Sequence, residues 1–284
     1  SDFETEPDQK VWSHVCSERG LCTPKICGFQ SDWAKTSGIC FFQRARSRIL
    51  SADVLVLNHT LFFTLLGGVE EQPEGGVLFK NDFVIFDEAH TVEQVASRHI
   101  GLGVSSGQVR YSLQRLWNPR TEKGLFALLR QGPGVKLVAD VLREADDFFH
   151  KVEEACEGLD GEQRRNKRGS GEGTKRAWSE LRIRQPDLVQ DNLTLPIARL
   201  RELVSELIRS SEDKEIGQEL LECNRRLAEL RDELATFLKQ SAEDYVYWVE
   251  RSGRKQTIVT LRSAPIDVAP ELRRHLFGCG TSVI

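Results

Sequence analysis

The apolar positions of this chain change period from one region to the next, and each change predicts a different kind of element. Val54-Leu55-Val56-Leu57 and Val84-Ile85-Phe86 are short continuous apolar runs, as expected of strands buried on both faces in a parallel sheet. Residues 91–99 then form a short helix candidate. From 105 to 245 the spacing is helical, with few strand signals. Val138, Val141, Ala145, Phe148 and Val152 recur on one helical face, and Thr194 and Pro196 mark the start of a helix carrying Leu200, Leu203, Val204 and Leu207. The clearest pattern is Ile216, Leu220, Cys223, Leu227, Leu230, Leu234 and Phe237, whose intervals of 4-3-4-3-4-3 make a heptad seam. It predicts an antiparallel pair or small bundle of helices and makes Cys223 a core residue. Residues 245–249 alternate, Ser252-Gly253 supplies a turn, and 257–261 pair back as a hairpin. Tyr247 and Trp248 could stack on bases, but packing within the hairpin is the favoured expectation.

Between these segments the chain reads as loop. Residues 1–10 are polar and acidic, 67–76 carry glycines and Pro73, and 161–176 combine glycines with Arg164, Arg165, Lys167 and Arg168. The last is expected to be a solvated basic loop.

Composition narrows the picture modestly. At 284 residues the chain can bury a sizeable core and hold two or more subdomains. A net charge of −4 supplies no global field for nucleic acid, so any such surface must be a local patch. No apolar run approaches the roughly 20 residues needed to span a bilayer, and a cytoplasmic, monomeric protein is expected. There is no methionine, which leads us to expect an internal or processed piece of a longer protein. Of seven cysteines, Cys16, Cys22, Cys27 and Cys40 cluster near the start. The odd total in a charged chain argues for free thiols in a reducing compartment.

Two groups of residues carry candidate chemistry. Asp87 and Glu88 directly follow the Val84-Ile85-Phe86 strand, at the carboxyl edge where ligand crevices of open α/β sheets lie. Adjacent carboxylates there suit nucleotide hydrolysis, one holding Mg²⁺ and the other orienting water; two acids taken alone would better suit the cap of a following helix. The cysteines are spaced Cys16-x5-Cys22-x4-Cys27-x12-Cys40. That is looser than the tight pairs of zinc fingers and closer to iron–sulfur spacing, with zinc and unliganded thiols left open. Arg44, Arg46 and Arg48 alternate after Cys40. In an extended segment they would share one face for phosphate contact; in a helix they would be spread around it. Asn58 and His59 follow the first apolar run, where a role in stabilising the turn is expected.

Asp87-Glu88-Ala89-His90 behind an apolar strand resembles the DEAH form of the Walker B motif in superfamily 2 helicases. Cys22-Thr-Pro-Lys-Ile-Cys27, Cys40-Phe-Phe-Gln-Arg-Ala-Arg46 and the 52–59 stretch resemble iron–sulfur helicases of the DinG/XPD type. The resemblance implies an α/β protein with a large α-helical insertion. Part of a RecA-like parallel-sheet motor domain would be joined to an iron–sulfur subdomain and a helical arch. The implied divisions are 1–50 for the cluster region, 51–103 for part of the first motor domain, 104–244 for the arch-like insertion, and 245–284 for a hairpin and return to the motor. It further implies ATP, Mg²⁺ and a 4Fe–4S cluster as cofactors and single-stranded DNA as partner, with 5′→3′ movement and a place in DNA repair or replication stress. Asp87 would hold Mg²⁺, Glu88 would activate water, and His90 would couple the nucleotide site to other motor motifs. Cys22, Cys27 and Cys40 would hold the cluster with Cys16 or an upstream residue, and Arg44, Arg46 and Arg48 would lie beside DNA. No Gly-x-x-x-x-Gly-Lys-Ser/Thr loop occurs in the chain, so nothing cradles phosphates and the isolated chain is expected not to hydrolyse ATP. A metal-stabilised interaction module and a motor-derived nuclease are the alternatives.

Overall fold

A computed structural model describes residues 22, 27–38, 40–49, 51–67, 83–167, 178–253, 257–278 and 282–284. The chain divides into two compact units, Ser1–Val56 with Leu207–Glu222, and Leu57–Glu206 with Cys223–Ile284. Cys16 and Cys279 lie outside the described residues.

In the first unit, α1 (Asp32–Ser37) begins where the Ser31 hydroxyl accepts from the Ala34 amide at 3.1 Å, satisfying one of the orphan donors of the first turn. The second helix, α2 (Phe41–Ile49), follows Cys40. The Gln43 side chain donates to the Cys22 carbonyl at 2.5 Å, and Cys27, Ser31 and Gln43 are buried.

The second unit contains α3 (His59–Gly67), β1 (Phe83–Val84), α4 (Val92–Ile100), β2 (Gly103–Ser105), α5 (Ser106–Leu116), α6 (Leu125–Leu128), α7 (Gly132–Lys167) and β3 (Glu180–Ile183). The long helices α8 (Thr194–Ser210) and α9 (Lys214–Lys239) run through parts of both units. The second unit then continues with β4 (Tyr245–Ser252), β5 (Ile258–Pro265), α10 (Ala269–Leu272) and β6 (Ser282–Val283). Periodicity explains most of this. On α7, Val138, Val141, Phe148 and Val152 are fully buried and Ala145 nearly so. On α9, Leu220, Cys223, Leu227, Leu230, Leu234 and Phe237 are buried as the heptad seam requires. The Asp191 carboxylate receives the Leu193 and Thr194 amides at 3.0 and 2.9 Å, capping α8.

The predicted hairpin forms, with Ser252 opposite Ile258, and sits in an antiparallel sheet of order β2-β5-β4-β3. One face of β4 turns to the helices. Tyr247 packs edge-on against Phe237 of α9. The Arg251 guanidinium, one-tenth exposed, lies 4.1 Å from the Trp178 ring and pairs with Glu153 (2.5 Å) and Glu157 (2.8 Å) of α7. A separate parallel pair joins β1 to β6, Val84 opposite Val283, extended by Phe86 N–H to Ile284 C=O at 2.8 Å. The chain is thus α/β, with a small parallel pair, an antiparallel sheet and ten α-helices among the described residues.

Several local expectations are corrected. Val54-Leu55-Val56-Leu57 forms no strand, and Val54 and Val56 are 79% and 93% exposed; an apolar run reports low polarity, and no described residue pairs with this one to make it a strand. The run after residue 82 is parallel as read but not buried on both faces, since Phe83 and Ile85 are 58% and 66% exposed. Among the described residues only β6 pairs with it. The basic stretch from 161 is helical as far as Lys167, because Glu162, Gln163, Arg164 and Arg165 are good helix formers; residues 168–176 lie outside the described residues. The helical region also contains β3, whose four residues alternate exposed and buried.

Candidate functional site

The acidic turn is built at the end of β1. Phe86, just past the strand, is the anchor. Its ring meets His59 (5.6 Å), Phe62 (5.2 Å) and Phe63 (6.4 Å) of α3, and Phe62 and Phe63 are buried. That aromatic cluster fixes where the chain leaves the strand, and Asp87 and Glu88 project beyond it, exposed. The Asn58 side chain caps α3 by accepting from the Leu61 amide at 2.7 Å, so its expected turn-stabilising role holds.

Within the turn, Glu88 adopts φ 51°, ψ 47°, the left-handed region that costs a non-glycine residue about 1 kcal/mol or more. Local bonds hold it there. The Glu88 amide donates to Asp87 Oδ1 at 3.0 Å, and the Glu88 carbonyl accepts from both the Thr91 amide (2.9 Å) and the Thr91 hydroxyl (3.0 Å). Thr91 Oγ1 is in turn 2.9 Å from His59 Nδ1. His90 Nδ1 stands 3.3 Å from Glu88 Oε2, both side chains exposed. The structure therefore brings Asp87, Glu88 and His90 together on one open turn. Asp87 keeps its second oxygen without a partner among the described residues, and Glu88 presents a carboxylate tethered to an imidazole. Such a turn can offer one or two carboxylates to a cation whose other ligands are phosphate oxygens and water. His59 was undervalued by the sequence, because its partner lies 32 positions away and no local pattern reports that distance.

The thiol group belongs to the first unit. Cys22, Cys27 and Cys40 form no disulfide and lie close enough to influence one another. Burial, then Cys40, then Cys22 push the Cys27 thiol up to about 12, and burial and Cys40 also raise Cys22. Three soft sulfur donors drawn from a 19-residue stretch fit iron–sulfur or zinc chemistry in kind. Among the described residues, though, no three His, Cys, Asp or Glu side chains form a metal-holding group. The arginines next to Cys40 lie on α2 and not on an extended segment, so the shared face expected of Arg44, Arg46 and Arg48 is lost. Arg44 and Arg48, four apart, share a face, while Arg46 lies 5.8 Å from the Phe42 ring. Cys156 and Cys223 are buried in α7 and α9.

No protein-family model matches the chain. It is similar to the ATP-dependent DNA helicase YoaA of Haemophilus influenzae, 25% identical over 281 residues, 96% of this chain and 37% of that protein. The chain is a relative of the DinG/XPD-type helicases. The YoaA of Escherichia coli is 34% identical over 102 residues, 36% of this chain and 15% of the relative. A Bacillus subtilis protein named 3′-5′ exonuclease DinG is 32% identical over 94 residues, 33% of this chain and 9% of the relative. The chain therefore spans well under half of each of these relatives. Among the described residues no helix is long and apolar enough to cross a membrane.

Proposed function

We propose that this chain is the central portion of an ATP-driven DNA helicase that moves 5′→3′ on single-stranded DNA. The observation that carries the reading is the acidic turn, a Glu88 held in a left-handed conformation beside Asp87 at the carboxyl end of a parallel strand pair. Nucleotide hydrolysis needs such carboxylates at that edge. Asp87 would offer the oxygen that does not accept from the Glu88 amide to the cation of Mg²⁺·ATP. Glu88 accepts a proton from the attacking water, and His90, 3.3 Å away, orients that carboxylate and links it to neighbouring motor segments. His59 and Thr91 hold the turn in register. Bound Mg²⁺ would neutralise charge developing on the phosphate oxygens.

Cys22, Cys27 and Cys40, with Cys16 or an upstream residue as fourth ligand, would hold a 4Fe–4S cluster whose role is structural. Arg44 and Arg48, and Arg46 from the other side of α2, would meet the DNA backbone. In this reading residues 1–50 form the cluster region, 51–103 and 245–284 contribute to the first motor domain, and 104–244 form the arch. The protein acts as a cytoplasmic monomer in DNA repair or replication stress.

Two measurements test this. In a form of the protein that includes a phosphate-binding loop, Glu88→Gln should abolish DNA-stimulated ATP hydrolysis, and retained hydrolysis would overturn the assignment. The 284-residue chain alone should not hydrolyse ATP; activity lost in Glu88→Gln would refute that. Anaerobic purification should yield about four irons and four sulfides per chain, whereas zinc without sulfide would favour an interaction module.

A further inference from the structure

The antiparallel sheet has a second face, opposite the one that carries Tyr247 and Val249, and Arg98 of α4 stands beside it. Strand register places Gly103, Arg262, Trp248 and Arg182 directly side by side across β2, β5, β4 and β3. At a strand spacing of about 4.8 Å, this row is roughly 14 Å long. Trp248 and Arg262 are half-buried and Arg182 is exposed. Glu250, two residues along β4, ties the centre together. It accepts from Trp248 Nε1 at 2.8 Å and from Arg262 Nε at 3.3 Å. Gly103 gives Arg262 its place, since a Cβ there would lie 2.6 Å from the Arg262 Nη1. A recess of about 110 Å³ is lined by Arg98, Leu102, Trp248, Glu250, Arg262 and Ser263. A second, of about 330 Å³, has Arg182 and Arg184 on its wall.

We infer that this face is a binding platform for single-stranded DNA, with Trp248 stacking on a base and Arg98, Arg182 and Arg262 meeting the flanking phosphates. The inference rests on the helicase reading for its choice of polymer, and on the face itself for the mode of binding. The indole N–H is already taken by Glu250, so what Trp248 can offer a ligand is its ring. A ring face flanked by guanidinium groups suits an unpaired base between two phosphates. Charge agrees in sign. Arg98, Arg182, Arg184 and Arg262 outnumber Glu180 and Glu250, and Arg98, Arg182 and Arg184 have no acidic partner among the described residues. The two glutamates stand opposite each other, leaving the other end of the face basic. Duplex DNA hides its base faces, so single strands are preferred.

The test is fluorescence anisotropy of the complete chain with a labelled 15-mer of deoxythymidine at low salt. Trp248→Ala should weaken binding about tenfold and Trp248→Phe less, as expected when a stacked base is lost. Arg182→Ala should weaken binding a few-fold and flatten the salt dependence by about 0.7 in log–log slope, the amount for one phosphate contact on a single strand. Arg182 and Arg98 are exposed, so their variants keep the test decisive if Trp248→Ala fails to fold. Unchanged affinity in Arg182→Ala and Arg98→Ala overturns the platform, as does equal competition by polyglutamate of the same length. Loss confined to an Arg44→Ala/Arg48→Ala double variant would also overturn it while leaving the helicase reading standing. That reading fails separately, on DNA-stimulated ATP hydrolysis in Glu88→Gln.

Discussion

The acidic turn and the helix-backed sheet sit in one unit and are held in opposite ways. The sheet packs Tyr247 and Val249 into a core with α7 and α9, and Arg251 bridges to Glu153 and Glu157. The turn rests on a two-residue strand pair, one aromatic cluster and the His59–Thr91 bond, with Asp87, Glu88 and His90 in solvent. Groups proposed to meet a charged nucleotide and water cannot be sealed in a core. Substitutions in the two regions should therefore report different things, function in the turn and stability on the helix-facing side of the sheet.

The largest expected effect would break that division if it failed. In a protein able to bind ATP, Glu88→Gln should lower hydrolysis by about a hundredfold or more, the loss typical of a removed general base, with an unchanged melting temperature. A large drop in stability would show the turn to be structural after all. Next, Arg251→Ala should destabilise the chain by about 3 kcal/mol in urea unfolding, since it strands two carboxylates and uncovers Trp178. Little change would mean that the ion pairs only decorate the α7–β4 contact.

A subtler probe is Glu233 on α9, whose carboxyl is pushed up to about 7 by burial and then by Glu229. A raised carboxyl pKa means that the folded state holds its proton more tightly than the unfolded chain. Stability is then lost as pH rises from about 4.5 to 7. Glu233→Gln should remove that loss, making the variant more stable than the parent by up to about 3 kcal/mol at pH 8 and nearly equal at pH 4.5. Equal stability at both values would place the group in solvent. Smallest, His59→Ala should cost about 1 kcal/mol, one net hydrogen bond, and should speed amide exchange at Thr91 before that of α7. Uniform exchange would erase the contrast between the two regions.

The sequence was most legible where burial follows a period. The α9 seam and the α7 face could be read because a helix that hides one stripe must repeat every three or four residues. Asp87-Glu88 was legible as an acidic edge because the preceding run is apolar. Other features resisted for physical reasons. Val54 to Leu57 has strand composition, but a strand needs a hydrogen-bonded neighbour and composition names none. Arg44, Arg46 and Arg48 suit an extended face or a helix equally, and the helix prevails in α2. The four residues of β3 are too few for alternation to stand out from helical neighbours. The Arg262–Trp248–Arg182 row depends on register between strands up to 80 positions apart, which no local pattern encodes.

The parallel pairing of Val84 with Val283 closes a loop of roughly 200 residues. Closing so long a chain is entropically costly while the intervening residues are unfolded, and contacts of this separation form slowly. Once α7, α8, α9 and the antiparallel sheet have condensed, the ends that must meet are no longer joined by free chain, and the cost falls. The order of folding is then set by topology: the body assembles first, and the strand pair that aims Asp87 and Glu88 closes last. A ribosome would release residues 282–284 about 200 residues after Val84, so the acidic turn gains its strand partner only after the helices and strands between them have emerged.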